Sequence, residues 1–301
     1  MTPRIWLIAG PTASGKSALA LALAQKLGAE IIGADALQLY ADLPILSAAP
    51  SAEDLAMVHH HLVGVADAAD GWSVGRWLEA ANALIEDGRP YVVVGGTGLY
   101  FKALTKGLAV MPPLPQAIRA QVHTEYDALG EAAFRERLAQ VDPVAEARIM
   151  PRDRQRLSRA WEVYAGTGRR LSDWQSDNAG ALPEGSWRGL VLEPPRDGLY
   201  ARCDVRFEAI MAAGALDEVA ALTARGLSPT LPAMKAVGYR ELTAHLKGEM
   251  SREAAIAAAQ METRRYAKRQ TTWARGQMAD WARITALDPK DQLAALNLWI
   301  G

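Results

Sequence analysis

Eight consecutive residues, Gly10-Pro11-Thr12-Ala13-Ser14-Gly15-Lys16-Ser17, are the first place in this chain where residue types and spacing could do chemistry. They fit the pattern G-x-x-x-x-G-K-[ST] and lie between an apolar run, Ile5 to Ala9, and a helix-forming run, Ala18 to Leu27. In that setting the glycines let backbone N–H groups converge on a phosphate, and the helix N-terminus adds partial positive charge. Lys16 supplies a full charge, and the Ser17 hydroxyl can ligate Mg²⁺. Such a cradle selects a diphosphate and leaves open what is attached to it. The commonest users of this loop are ATP- or GTP-dependent enzymes.

Two further places could act on whatever the cradle holds. Asp35 ends the apolar run Ile31-Ile32-Gly33-Ala34, and in parallel α/β sheets ligands sit at the C-terminal ends of strands. It is a candidate general base, with a helix cap or a magnesium-binding acid as the alternatives. Gln38, three residues on, carries an amide that can both donate to and accept from a base edge. The run Tyr91 to Val94 then opens into Gly95-Gly96-Thr97-Gly98-Leu99-Tyr100. That strand end has no acid of the Walker B type, which weakens the ATPase reading; Thr97 offers a hydroxyl instead.

The elements that must position these groups are legible from periodicity. Ile5 to Ala9, Ile31 to Ala34, Tyr91 to Val94 and Gly189 to Leu192 read as buried strands separated by helical stretches, which predicts a parallel sheet of the P-loop type. Pro112-Pro113-Leu114-Pro115 and Pro183-Glu184-Gly185 bracket a helical segment, read as an insertion over residues 112–186 between core parts 1–111 and 187–301. Within it Ile118, Val122, Tyr126 and Leu129 fall on one helical face, as do Phe134, Leu138 and Val141. Helices are also expected at Phe207 to Gly214 and over residues 252–275; residues 287–301 carry no clear signal.

The chain has 301 residues, formal charge −1 and one cysteine, Cys203. A disulfide within the chain is excluded, Cys203 is expected to be a buried thiol, and a cytoplasmic location follows as an expectation. The N-terminal apolar run is too short for a membrane span, so no membrane partner is expected. Basic charge is local. Residues 148–170 hold seven Arg against Asp153 and Glu162, and residues 261–275 hold five Lys or Arg against Glu262. A helix starting at Pro151 would place Arg152, Arg156 and Arg159 on one face, with Leu157, Trp161 and Tyr164 packed on another. Each run alone is a solvated face; two in a nearly neutral protein suit phosphate contacts that position an RNA without reading its sequence.

Taken together, Gly10 to Ser17, Ala34-Asp35-Ala36-Leu37-Gln38-Leu39-Tyr40 and Gly95 to Tyr100 resemble the bacterial tRNA dimethylallyltransferase family. The resemblance runs on through Asp142-Pro143, Arg148-Ile149, Asp153, Gln155-Arg156, Arg159-Ala160, Glu162-Val163-Tyr164 and Thr167-Gly168. Further on it takes in Val237-Gly238-Tyr239-Arg240 and Ala267-Lys268-Arg269-Gln270 with Thr272-Trp273 and Arg275. It implies an α/β core with an inserted helical RNA-binding domain and transfer of a dimethylallyl group from dimethylallyl diphosphate to the adenosine immediately 3′ of the tRNA anticodon. It further implies Mg²⁺ as cofactor, a monomer, and a channel that RNA enters from one side and the prenyl donor from the other. Asp35, Thr97 and Arg206 become the expected catalytic residues, with Arg206 at the diphosphate. The expected tRNA contacts are Asp35, Ala36, Leu37, Gln38, Thr97, Arg119, Gln155, Arg156, Leu157, Ser158, Arg159, Lys235, Gly238, Tyr239, Arg240, Lys268, Arg269, Gln270, Trp273 and Arg275. The chain departs from the family at Ala36, where Ser is usual, at Leu46 and Ala49, where Gly and Lys are usual, and at Met150-Pro151-Arg152-Asp153, where H-P-N-D is usual.

Overall fold

The computed structural model describes residues 4–109 and 111–300. They fall into two compact units, one running up to Thr105 and resuming at Leu182, the other Lys106–Ala181.

In the first unit the strands are β1 (Ile5–Ala9), β2 (Glu30–Gly33), β3 (His60–His61) and β4 (Tyr91–Gly95), then β7 (Trp187–Leu192) and β8 (Ala282–Ile284). The second unit holds β5 (Leu108–Ala109) and β6 (Asn178–Ala179), an antiparallel pair. The six strands of the first unit form one sheet in the order β3-β2-β4-β1-β7-β8, parallel throughout. β1 is fully buried between β4 and β7, as its uninterrupted apolar sequence requires of a central parallel strand. The edge strands β3 and β8 were not foreseen. Each is only two or three residues long, too short for a periodic signal.

The helices of the first unit are α1 (Lys16–Leu27), α2 (Ala52–Met57), α3 (Val74–Ile85) and α4 (Gly98–Lys106) before the second unit. The second unit contributes α5 (Gln116–Val141), α6 (Pro143–Arg148), α7 (Arg154–Thr167) and α8 (Leu171–Ser176). After it come α9 (Arg196–Ala212), α10 (Ala215–Ala224), α11 (Tyr239–Leu246), α12 (Arg252–Gln277) and α13 (Pro289–Ile300). Leu19, Leu23 and Ala24 of α1 pack with Ile8, Ile31 and Val92 of the sheet and with Leu296 of α13. The closing segment, silent in sequence, therefore completes this core.

The second unit has a core of its own, built from Val122, Phe134, Leu138, Ile149, Leu157 and Trp161. α5 is broken at Gly130, whose φ of 74° and ψ of 168° lie outside helical space, so the packing register shifts there. Leu129, expected on the packed face, is in consequence 44% exposed. Asp142 is fully buried and accepts hydrogen bonds from Ala145 N–H and Ser172 N–H, capping α6 and fixing the start of α8. α7 begins at Arg154 with Asp153 as its N-cap, and Arg152 precedes it in a left-handed turn at φ 67°. The expected stripe of Arg152, Arg156 and Arg159 on one helix is corrected to Arg156 and Arg159 alone.

Candidate active site

The Gly10–Ser17 loop leaves the C-terminal end of β1 and enters α1 at Lys16. Its shape is enforced from outside. Gly15 has φ 97°, and a Cβ there would stand 2.5 Å from the Gln292 side-chain oxygen. Gln292 is itself buried and donates from Nε2 to the carbonyl oxygens of Ser14 and Ala286, both at 2.9 Å. On the other flank Gln270 of α12 accepts from Thr12 N–H through Oε1 at 2.8 Å and donates through Nε2 to Gly96 O at 3.0 Å. One amide thus ties the loop after β1 to the loop after β4. Gly96 is needed for it, since a Cβ would meet Gln270 Nε2 at 2.1 Å.

Asp35 follows β2, and Thr97 follows β4 on the neighbouring strand. Thr97 N–H donates to Ala34 O at 3.1 Å, and Ala36 N–H donates to Thr97 Oγ1 at 3.0 Å, so Thr97 holds the peptide immediately after Asp35. Asp35 Oδ1 accepts from Leu37 N–H at 3.0 Å, which orients the carboxylate. No hydrogen bond to Oδ2 is present among the described residues.

Lys16, Ser17 and Asp35 line one pocket together with Gln38, Arg206 and Tyr266. Its remaining wall includes Leu46, Phe207, Ile210 and Val237, an apolar surface beside a cationic one. Lys16 is buried, and its Nζ donates to Pro11 O at 3.3 Å. Burial, reinforced by the Arg206 guanidinium and opposed by Asp35, brings the Lys16 ammonium down to about 8. Burial also lowers Arg206 from its ordinary value, against the pull of Asp35. Two costly cations and one carboxylate around a common space form a site whose charge balance favours an anion. Cys203 is a buried free thiol on the same wall, raised to about 11 by burial.

The IPP transferase family profile matches residues 38–277, and the isopentenyl transferase profile matches residues 3–67. A tRNA dimethylallyltransferase of Phenylobacterium zucineum is 62% identical over 296 residues, covering 97% of this chain and 96% of that protein. One of Caulobacter sp. is 56% identical over 294 residues, covering 96% and 95%. The chain belongs to the tRNA dimethylallyltransferase family. Among solved structures, the full-length tRNA isopentenylpyrophosphate transferase of Bacillus halodurans is 30% identical with a TM-score of 0.69, covering 99% of this chain and 96% of that one. A eukaryotic dimethylallyltransferase captured acting on tRNA, 24% identical, shares the fold with a TM-score of 0.83, covering 99% of this chain and 78% of that one. The P-loop-like parallel sheet is therefore the family's fold, and this chain is a transferase that modifies tRNA.

Within the family framework, the residues expected from sequence divide by position. Asp35, Ala36, Leu37, Gln38 and Thr97 lie at or beside the pocket, as do Lys16, Ser17 and Arg206. Gln38 uses Nε2 to donate to Ala48 O at 3.0 Å and Ser47 O at 3.3 Å, and no hydrogen bond to its Oε1 is present among the described residues. Arg119, Gln155 and Arg156 are exposed on the second unit, as are Lys235, Arg240, Lys268 and Arg269 on the first. Arg159 is partly exposed and reaches Glu162 at 3.4 Å; Arg275 is exposed and paired with Glu193.

Other residues expected to contact tRNA have side chains engaged within the protein. The side chains of Leu157 and Ser158 are buried inside the helical unit, on the packed face of α7. Gly238 and Tyr239 are buried too: Gly238 begins α11 at φ 92° against Phe207, and the Tyr239 hydroxyl pairs with Thr223. The Gln270 amide is committed to Thr12 and Gly96, and the Trp273 ring fills the space over Gly98.

Sequence reasoning missed Gln292 and Tyr266. The Tyr266 phenol is pushed above its ordinary range by burial and by Asp35, against smaller opposing effects of Thr97, Arg269 and Gln270. Its signal was its place one helical turn before Gln270 on α12. Gln292, in a segment without periodicity, offered none.

No described helix is long and apolar enough to cross a membrane.

Proposed function

We propose that this chain transfers the dimethylallyl group of dimethylallyl diphosphate to N6 of the adenosine at position 37 of tRNA, immediately 3′ of the anticodon, releasing diphosphate. Membership in the family supports the reaction, and the shared pocket of Lys16 and Asp35 carries its assignment to residues. The donor's diphosphate lies in the loop N–H groups against Lys16 and Arg206, and its five-carbon tail lies along Leu46, Phe207 and Ile210. As N6 bonds to the allylic carbon, the carbon–oxygen bond to the diphosphate breaks, and Lys16, Arg206 and the loop dipoles stabilise the charge gathering on the leaving group. Asp35 accepts the N6 proton, a contribution of about 10² to 10⁴ in rate. Thr97 keeps that carboxylate in place through Ala36. Gln38 Oε1 reads the base edge.

The Ser17 hydroxyl is exposed at the pocket, a hard oxygen donor of the kind that fits Mg²⁺. When bound there with phosphate oxygens of the donor, Mg²⁺ would neutralise part of the leaving group's charge. The exposed cations Arg119, Arg156, Lys235, Arg240, Lys268 and Arg269 and the partly exposed Arg159 are assigned to RNA phosphates, and the target base is flipped out of its stack to reach the pocket. We assign the enzyme to the cytoplasm, as a monomer.

Purified protein incubated with dimethylallyl diphosphate, Mg²⁺ and unmodified tRNA should yield N6-(dimethylallyl)adenosine by nucleoside mass spectrometry. An anticodon stem-loop should serve and AMP should not. Phosphate release from ATP at a comparable rate, without prenylation, would sink the reading.

A further inference from the structure

Outside the substrate pocket, at the outer border of the sheet, Glu30, His59 and His61 each offer one ligand atom, and these atoms all lie within 4.8 Å of one another. The backbone arranges this. His59 and His61 are two residues apart in extended chain and so project to the same side. Ile31 N–H donates to His59 O at 2.9 Å, and Ile31 pairs with His60, which brings Glu30 of β2 alongside both imidazoles. The two rings meet edge to face with centroids 4.3 Å apart, and His61 Nε2 lies 2.5 Å from Glu30 Oε2.

The carboxylate is already oriented from behind. Arg89 Nη1 binds Glu30 Oε1, and Asp87 Oδ2 holds Arg89 Nε at 2.7 Å. Outer partners of this kind fix a ligand's direction in metal sites.

We infer that Glu30, His59 and His61 form a binding site for one divalent transition-metal ion, Zn²⁺ foremost. Two imidazoles and one carboxylate are a borderline donor set, suited to zinc and deficient in the six to eight oxygens that Ca²⁺ requires. His59 is exposed, so a fourth position opens to solvent. The ion takes the place of the proton between His61 and Glu30 and pins edge strand β3 to β2, the strand that ends just before Asp35.

The test is tag-free full-length protein, stripped of metal with a chelator and titrated with Zn²⁺ in competition with a chromophoric indicator. One equivalent per chain is expected. H59A, a change at an exposed side chain, should weaken zinc binding by at least about tenfold while leaving the melting of the zinc-free protein unchanged. E30Q should weaken it likewise. Absence of a stoichiometric site, or one that H59A leaves intact, overturns the inference.

Discussion

Gln292 donates from its side-chain amide to the Ser14 carbonyl oxygen at 2.9 Å, joining the last helix of the chain to the loop that follows its first strand. The bond is buried, so losing it leaves an unpaired carbonyl that water cannot reach. The same side chain stands 2.5 Å from where a Gly15 Cβ would be, and thus also forms the back wall of the cradle.

Gln292→Ala should therefore lower folding stability by about 1–3 kcal/mol in urea denaturation and raise KM for dimethylallyl diphosphate more than KM for tRNA. An unchanged donor KM would show that the loop holds its shape without this support.

Lys16 should make donor binding depend on pH. Its folded value of about 8 lies below the ordinary 10.5, so the free enzyme loses this charge as pH rises through 8. Between pH 8 and 10.5 the unfolded chain binds more protons than the folded one, and Lys16 contributes stability that increases with pH across that window. Donor affinity should run the opposite way, falling above about pH 8, with a proton taken up on binding. Isothermal titration in buffers of differing ionisation enthalpy checks this; a flat profile to about pH 9 would exclude it.

Asp35→Ala should reduce single-turnover transfer by about 10² to 10⁴ while tRNA affinity stays within about twofold. Thr97→Val, which removes the hydroxyl that holds Ala36 N–H, should reproduce a smaller part of that loss in kcat with little change in donor KM. Wild-type turnover by the Asp35 variant would remove the general-base assignment.

Arg156→Ala combined with Arg159→Ala should weaken tRNA binding and reduce the slope of log K against log salt by about 2, one for each phosphate that is no longer neutralised. Arg152→Ala, outside the helix, should do less. Filter binding at several salt concentrations separates these outcomes; an unaltered slope would take α7 out of the RNA surface.

The parts legible in sequence were those governed by local rules. Ile5 to Ala9 read as a buried strand because a central parallel strand has no polar alternation. Gly10 to Ser17 read as a phosphate cradle because its spacing is dictated by backbone geometry. The strand ends at Asp35 and Thr97 followed from the same logic. Where a break in helical geometry intervened, as at Gly130 and Arg152, periodicity misplaced Leu129 and the arginine stripe, since a wheel assumes an unbroken helix.

By itself, then, the sequence determined the family, the cradle and the identity of the groups that could carry charge and protons, because each depends on neighbours a few residues apart. Tertiary structure alone decided which of those groups share a pocket, that Gln270 and Gln292 brace the loop across 258 and 278 residues, and that Leu157, Ser158 and Tyr239 face inward. Burial and long-range hydrogen bonding arise from how elements pack, and no spacing along the chain encodes that.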